Sequence, residues 1–317
     1  MKILANDGIS ASGIEALEKA GHEVQTTKVA QEQLASYINE NNIDVLLVRS
    51  ATKVRKDIID ACDNLKMIGR GGVGMDNIDV EYARSKGKFV FNTPAASSRS
   101  VAELVFAHLL GGVRFLHDSN RQMPLEGESR FKDLKKAYSK GTELMGKTIG
   151  IIGFGRIGQE VAKMAIGLGM NVVPYNRGDI DEFSIELDFF DGQKVTFNIP
   201  NSTMEDVLSK SDFITLHVPG GDGQPVIGEK EIAKMKDGAA IVNTARGGVV
   251  NEEELAKALE EEKLSFAALD VFTDEPTPPV KLLMMPQLSL TPHIGGSTEE
   301  AQDRIGLELA EIIISKA

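Results

Sequence analysis

The 317-residue sequence has no tryptophan, one cysteine and only 5% aromatic residues. A lone Cys62 excludes an intrachain disulfide framework and a thiolate metal site; a small buried hydrophobe is its expected role. With so few rings, the cores must be aliphatic. Basic residues are also in deficit, because 35 Lys and Arg stand against 47 Asp and Glu and leave a net charge of −12. Nucleic acid is therefore not an expected partner, since a broad basic face is lacking. An anionic small molecule would need a local basic pocket set against that field. No apolar run is long enough to span a bilayer, and the start Met1-Lys2-Ile3-Leu4-Ala5-Asn6-Asp7 has no signal-peptide core. A cytoplasmic protein with no membrane partner and no metal is expected.

Glycine, by contrast, is abundant, with 31 residues, several in patterned places. The length fits two medium domains. Short β-rich runs alternate with helix-period segments. Strands are expected at 2–5, 24–26, 44–48, 67–68 and 89–91, with helices at 12–20, 31–39 and 58–62. The rhythm restarts at Lys147, with strands at 148–152, 171–175, 213–217, 239–243, 266–269 and 288–290. Helices are expected there at 156–168, 229–236, 252–261 and from about 298 to 315. Two such blocks predict an α/β protein of two doubly wound parallel-sheet (Rossmann-like) domains with a cleft between them. The apolar run 100–116 and the final helix are candidates for crossing between domains. One segment breaks the rhythm: 183–199 alternates apolar and polar residues around Asp191-Gly192, as a β-hairpin would. Its expected role is decoration or a subunit contact rather than a substrate lid.

Gly153-Phe154-Gly155-Arg156-Ile157-Gly158 follows a strand and opens a helix. Gly153 permits the tight turn, Gly155 lets a pyrophosphate approach the backbone, and Gly158 lets helix and strand pack closely. The helix N-terminus then offers free N–H groups to phosphates. A dinucleotide is the expected cofactor. The end of the next strand, where an acidic residue commonly meets the adenosine ribose, holds Asn176 followed by Arg177. Either Asn176 bonds the ribose and Arg177 is solvated, or Arg177 pairs with a 2′-phosphate. NAD and NADP both stay open.

Three further patterns each follow a strand-like run: Asn243-Thr244-Ala245-Arg246-Gly247-Gly248, Asp270-Val271-Phe272-Thr273-Asp274-Glu275-Pro276 and Thr291-Pro292-His293-Ile294-Gly295-Gly296. They are expected on the same sheet edge as the glycine loop. Together they suit oxidation of a 2-hydroxy acid. Arg246 can grip a carboxylate with its fork, His293 can take the hydroxyl proton, and Glu275 can orient the imidazole. His22, His108, His117 and His217 lack such a setting and are expected to be structural.

Val48-Arg49-Ser50-Ala51-Thr52-Lys53-Val54, the run from Gly69 to Asp79, Asn92-Thr93-Pro94, Ser100-Val101-Ala102-Glu103-Leu104, the glycine loop and the three patterns together resemble the D-isomer-specific 2-hydroxyacid dehydrogenase family over nearly the whole chain. The resemblance implies the catalytic set Arg246, Glu275 and His293. It puts the substrate carboxylate on backbone N–H groups of Gly72 and Val73, and the pyrophosphate at Arg156 and Ile157. Val218, Thr244 and Ala245 would wall the cofactor, and Asp270 would bond the carboxamide with Gly295 closing that wall. The implied domains are 1–96 with 290–317 for substrate and 97–289 for the dinucleotide, joined as a homodimer or homotetramer through the latter. Arg49 and Arg70, at strand ends, are candidates for a substrate phosphate, making the expected ligand a small phosphorylated 2-hydroxy acid. An unphosphorylated 2-hydroxy acid and a non-catalytic dinucleotide sensor remain alternatives. Asn176 in place of the family's acid, and Ser97 where the family often has Asn, depart from the pattern. The sequence ends after the terminal helix, so control through an appended regulatory domain is not expected.

Overall fold

The computed structural model describes residues 1–220 and 223–317. In chain order the elements are β1 (Lys2–Ala5), α1 (Ala11–Lys19), β2 (Glu23–Gln25), α2 (Leu34–Glu40), β3 (Val45–Val48), α3 (Lys56–Ala61), β4 (Met67–Arg70), α4 (Val80–Ser85), β5 (Phe89–Asn92), α5 (Ser98–Val113) and α6 (Leu116–Ala137). There follow β6 (Thr148–Ile152), α7 (Arg156–Gly167), β7 (Asn171–Tyr175), β8 (Glu182–Asp188), β9 (Lys194–Pro200), α8 (Met204–Lys210), β10 (Phe213–Leu216), α9 (Glu229–Lys234), β11 (Ala239–Asn243), α10 (Glu252–Glu260), β12 (Leu264–Leu269), α11 (Val280–Leu283), β13 (Leu288–Leu290) and α12 (Glu299–Lys316). The chain divides into two compact units, one of residues 1–100 and 296–317, the other of residues 101–295.

The first unit has a five-stranded sheet in the order β2-β1-β3-β4-β5, parallel throughout. All four residues of β3 are buried, as a strand covered on both faces requires. Because side chains alternate, Leu4, Leu46, Val48 and Ile68 enter one core with Ile38 and Ile58, while Ile3, Val45, Leu47 and Met67 enter another with Leu17, Ile305 and Leu309. The terminal helix α12 closes that second core. A Cβ on Gly13 of α1 would stand 2.8 Å from the backbone of Gly306, so only glycine lets these helices approach so closely.

The second unit has a six-stranded parallel sheet in the order β13-β12-β11-β10-β6-β7, with β8 and β9 as a separate antiparallel pair. β11 is buried along its length. Ile241 and Leu269 face one core; Ala240, Val242 and Phe266 face the other. The β8–β9 hairpin turns at Gly192, whose φ of 84° is the left-handed conformation glycine tolerates. Its inner residues Phe183 and Ile185 are buried in the second core, and the Phe183 ring lies 4.5 Å from that of Phe154 in the glycine loop.

Four helices are absent from the sequence reading, one of them α11, a single turn of four residues. α4 and α8 are only two turns long, too short for a periodic signal. α6 was hidden by Pro124 and by a polar composition with no apolar stripe facing a core; only Leu134 of its residues is buried. The expected single run 100–116 instead breaks at Phe115, whose φ of 53° ends α5 and starts α6. Among the described residues, no helix is long and apolar enough to cross a membrane.

Candidate functional site

The glycine loop leaves β6 and caps α7 at Gly155. Its three glycines have different neighbours. Gly153 has φ 92°, and a Cβ there would stand 2.5 Å from the His217 carbonyl oxygen and 2.8 Å from Val218 Cγ1. A Cβ on Gly158 would collide with the Gly153 carbonyl, while one on Gly155 would meet nothing within 4 Å. Two glycines thus serve packing, and the middle one keeps open space above the helix N-terminus, where a pyrophosphate fits. Arg156 and Ile157 begin that helix. Thr244 Oγ1, in the loop after β11, is buried without a hydrogen-bond partner. A polar cofactor edge would satisfy it.

Asn176 follows β7 beside this loop. Its side-chain oxygen accepts the Phe154 N–H at 3.3 Å, and its backbone exchanges two bonds with the Asn201 side chain, at 3.0 and 3.1 Å. Asn201 had no sequence signal, because the whole hairpin separates it from its partner. Arg177 is exposed.

β11, β12 and β13 are neighbours, so the three patterns following them meet at their carboxyl ends. The Asp270 N–H donates to the Asn243 carbonyl at 3.0 Å. Asn243 also shapes its own loop, accepting the Ala245 N–H at 3.0 Å and donating to the Arg246 carbonyl at 2.9 Å. A Cβ on Gly247 would strike the Phe272 carbonyl. Close contact there sets the Arg246 loop against the Glu275 loop. Glu275 accepts the Phe272 N–H at 2.9 Å through one oxygen and faces His293 Nδ1 at 2.8 Å through the other. A carboxylate there makes Nδ1 the protonated nitrogen and leaves Nε2 as the free lone pair. Both side chains are partly solvent-open.

His293 has φ 55°, an unfavourable conformation for a residue with a side chain. Asp270 holds it from both sides. This carboxylate is 1% exposed and accepts the Thr291 hydroxyl at 2.6 Å and the N–H groups of Ile294 and Gly295, both at 2.8 Å. Thr291 spends its proton on Asp270, so it accepts from His108 Nε2 at 3.1 Å, and His108 Nδ1 in turn accepts the Ser289 hydroxyl at 2.8 Å. His108, expected to be structural, therefore belongs to the scaffold of the His293 loop. Its signal was a lone polar residue on the apolar face of α5. Burial lowers its pKa, partly offset by the Asp270 charge. His217 is pushed down to about 3 by burial, and its Nε2 lies 3.0 Å from Thr215 Oγ1.

Arg49, Arg70, Gly72 and Val73 lie in the first unit, the other predicted site residues in the second. Arg49 follows β3 and Arg70 ends the adjacent β4, and a Cβ on the intervening Gly71 would come within 3.6 Å of Arg49 Cγ. The Arg49 N–H is held by Asp7 at 2.7 Å. The Arg70 guanidinium covers Gly72, leaving no room there for a Cβ. The Gly72 N–H donates to Thr93 Oγ1 at 2.7 Å. Gly72 has φ 137°, a conformation that glycine tolerates. The Val73 carbonyl is fixed by Asn92 Nδ2 at 2.6 Å.

In the second unit, a cavity of about 530 Å³ lies at the opposite, amino-terminal edge of the sheet, lined by Lys140, Lys147, Asp212, Lys236 and Phe266 among others. No predicted site residue lines it.

Residues 106–295 match the family model described as the D-isomer specific 2-hydroxyacid dehydrogenase, NAD binding domain. The chain is 43% identical to a hydroxypyruvate reductase of Thermotoga maritima over 99% of this chain and 98% of that protein. It is 42% identical to a D-3-phosphoglycerate dehydrogenase of Methanocaldococcus jannaschii over 99% of this chain, but spans only 57% of that protein's length. Among solved structures, a glyoxylate reductase from Paecilomyes thermophila is 29% identical with a TM-score of 0.82, covering 99% of this chain and 94% of that one. This chain belongs to the D-isomer-specific 2-hydroxyacid dehydrogenase family.

Proposed function

We propose that this nicotinamide-dependent oxidoreductase oxidises D-3-phosphoglycerate at C2, the first step of serine biosynthesis, with residues 101–295 holding the dinucleotide and the first unit binding substrate. The observation that carries the reaction is the His293–Glu275 pair, 2.8 Å apart, in a loop held by Asp270. His293 Nε2 accepts the hydroxyl proton during oxidation and returns it to the oxygen during reduction. Glu275 holds the ring in that tautomer and stabilises the imidazolium. Arg246 forks onto the carboxylate and the reacting oxygen. The bound nicotinamide supplies or accepts the hydride. Gly153, Gly155, Arg156, Ile157 and Gly158 would hold its pyrophosphate. Val218, Thr244, Ala245, Asp270 and Gly295 would line the rest. Arg49 and Arg70, on adjacent strand ends, support a phosphorylated substrate. A second reading, reduction of hydroxypyruvate, is favoured by the likeness to the Thermotoga enzyme.

The test is steady-state turnover of 3-phosphoglycerate beside glyoxylate and hydroxypyruvate. A kcat/KM for the phosphorylated acid higher by orders of magnitude supports the first reading. A win for hydroxypyruvate that survives Arg49→Ala and Arg70→Ala removes the phosphate role. A homodimer is part of the same reading: α5 and α6 expose Leu110, Leu116, Leu125 and Phe131, an apolar set that a second copy would cover. Sedimentation as a monomer at micromolar concentration would reject it.

A further inference from the structure

We propose that this chain selects NADP(H) over NAD(H), through a corner of hydrogen-bond donors at Asn176 and Arg177 that the inserted β8–β9 hairpin locks in place. The inference rests on the dinucleotide reading of the glycine loop and deepens it.

In a doubly wound sheet the adenosine ribose lies at the carboxyl end of the strand after the phosphate-binding helix, here β7. Whether that corner takes a 2′-hydroxyl or a 2′-phosphate depends on which polar groups are left to face it. Asn176 has little left. Its N–H is given to Asn201 Oδ1 at 3.0 Å, its carbonyl accepts Asn201 Nδ2 at 3.1 Å, and its side-chain oxygen accepts the Phe154 N–H at 3.3 Å. The last bond also fixes the amide orientation, because a flipped amide would set its NH₂ against another donor. What remains is Nδ2, with only a long 3.4 Å contact to the Arg177 carbonyl. Arg177 itself is exposed and forms no ion pair with any described residue.

At Asn176 and Arg177 the side-chain groups left without a short partner are donors. A ribose 2′-hydroxyl finds no carboxylate at either of these two positions to receive its proton. A 2′-phosphate brings three acceptor oxygens and negative charge to an amide NH₂ and a guanidinium fork.

The hairpin makes this arrangement rigid. Asn201 is the first residue beyond β9, and its N–H is tied to the Asp181 carbonyl across the hairpin base at 2.8 Å. Ser202 N–H binds the Pro174 carbonyl of β7 at 2.9 Å. Phe183 of β8 packs on Phe154, whose N–H holds the Asn176 oxygen. In this reading the insertion walls the cofactor corner.

The test is binding of 2′,5′-ADP and 5′-AMP to the full chain by calorimetry, followed by kcat/KM with NADP and NAD. 2′,5′-ADP is expected to bind about 10-fold or more tightly than 5′-AMP, the worth of one charge-assisted hydrogen bond. Arg177→Ala, at an exposed site with no fold to disturb, should abolish that difference, and Asn176→Asp should reverse it. Asn201→Ala should shrink it by freeing Asn176; an unchanged ratio there removes the hairpin's role. Equal or weaker binding of 2′,5′-ADP, with NAD the better cofactor, overturns the proposal while leaving the dinucleotide site intact. Failure to bind either nucleotide or either cofactor overturns the glycine-loop reading as well.

Discussion

Thr291→Val tests the idea that His293 is held by buried polar scaffolding. The change keeps volume and removes one hydroxyl. It strips Asp270 Oδ1 of its 2.6 Å donor and leaves His108 Nε2–H facing a methyl group. An unsatisfied buried donor costs ~1–3 kcal/mol, and the lost bond to a carboxylate adds to this, partly recovered because Ile294 N–H still reaches Asp270. A net loss of ~2–3 kcal/mol corresponds to a fall in Tm of ~4–12 °C for a unit of this size. The catalytic effect should be separable. His293 sits in an unfavourable left-handed conformation, two residues beyond Thr291, and relaxation of its loop by ~1 Å would lower kcat by ~10–100-fold. Cofactor affinity should fall far less than kcat, because the glycine loop is untouched and only the wall at Asp270 and Gly295 is disturbed. Thr291→Ser keeps the hydroxyl and should stay within ~1 kcal/mol of the parent, with near-normal kcat. Urea unfolding and steady-state turnover of the two variants decide the matter. If Val and Ser behave alike, or if Val leaves both stability and kcat unchanged, the hydroxyl chain from His108 to Asp270 does not hold the loop.

Other outcomes follow from the same geometry. His293→Ala should leave cofactor binding near normal and lower kcat by ~10²–10⁴, the usual worth of a general acid–base; unchanged turnover would remove His293 from the mechanism. Gly155→Ala should fold with parental stability, since its Cβ meets nothing, yet lose dinucleotide affinity; Gly158→Ala should lose both, because its Cβ strikes the Gly153 carbonyl. Melting curves beside cofactor titrations separate the two, and a Gly155→Ala protein with normal affinity would contradict the open-cradle argument. Acid should destabilise the second unit before its carboxylates titrate. His217 falls from an ordinary 6.5 to about 3 in the folded chain, so below pH 6.5 the unfolded chain binds protons that the folded chain refuses. Stability is then full above about 6.5 and falls by on the order of 1 kcal/mol per pH unit below it. Urea midpoints between pH 7.5 and 5 that stay flat, or rise, would contradict this.

Much of the fold was legible because parallel sheets write themselves in local chemistry. Buried strands such as Val45–Val48 and Ala239–Asn243 are short apolar runs, and helices between them carry the 3.6-residue period. The glycine loop was legible for a similar reason: its glycines answer to a strand, a turn and a helix that are consecutive in the chain. The hairpin announced itself by strict alternation around Asp191-Gly192. Each of these is a property of neighbours in sequence. What only the tertiary structure decided is how residues far apart share their polar groups. Asn201 takes up the backbone of Asn176 across the whole hairpin. His108 on α5 feeds a hydrogen-bond chain that ends on the His293 loop, and the Thr93 hydroxyl takes the N–H of Gly72 across 21 positions of sequence. Sequence names the donors and acceptors available, but buried groups must all be satisfied, and which pairs form depends on a packing geometry that no single segment contains.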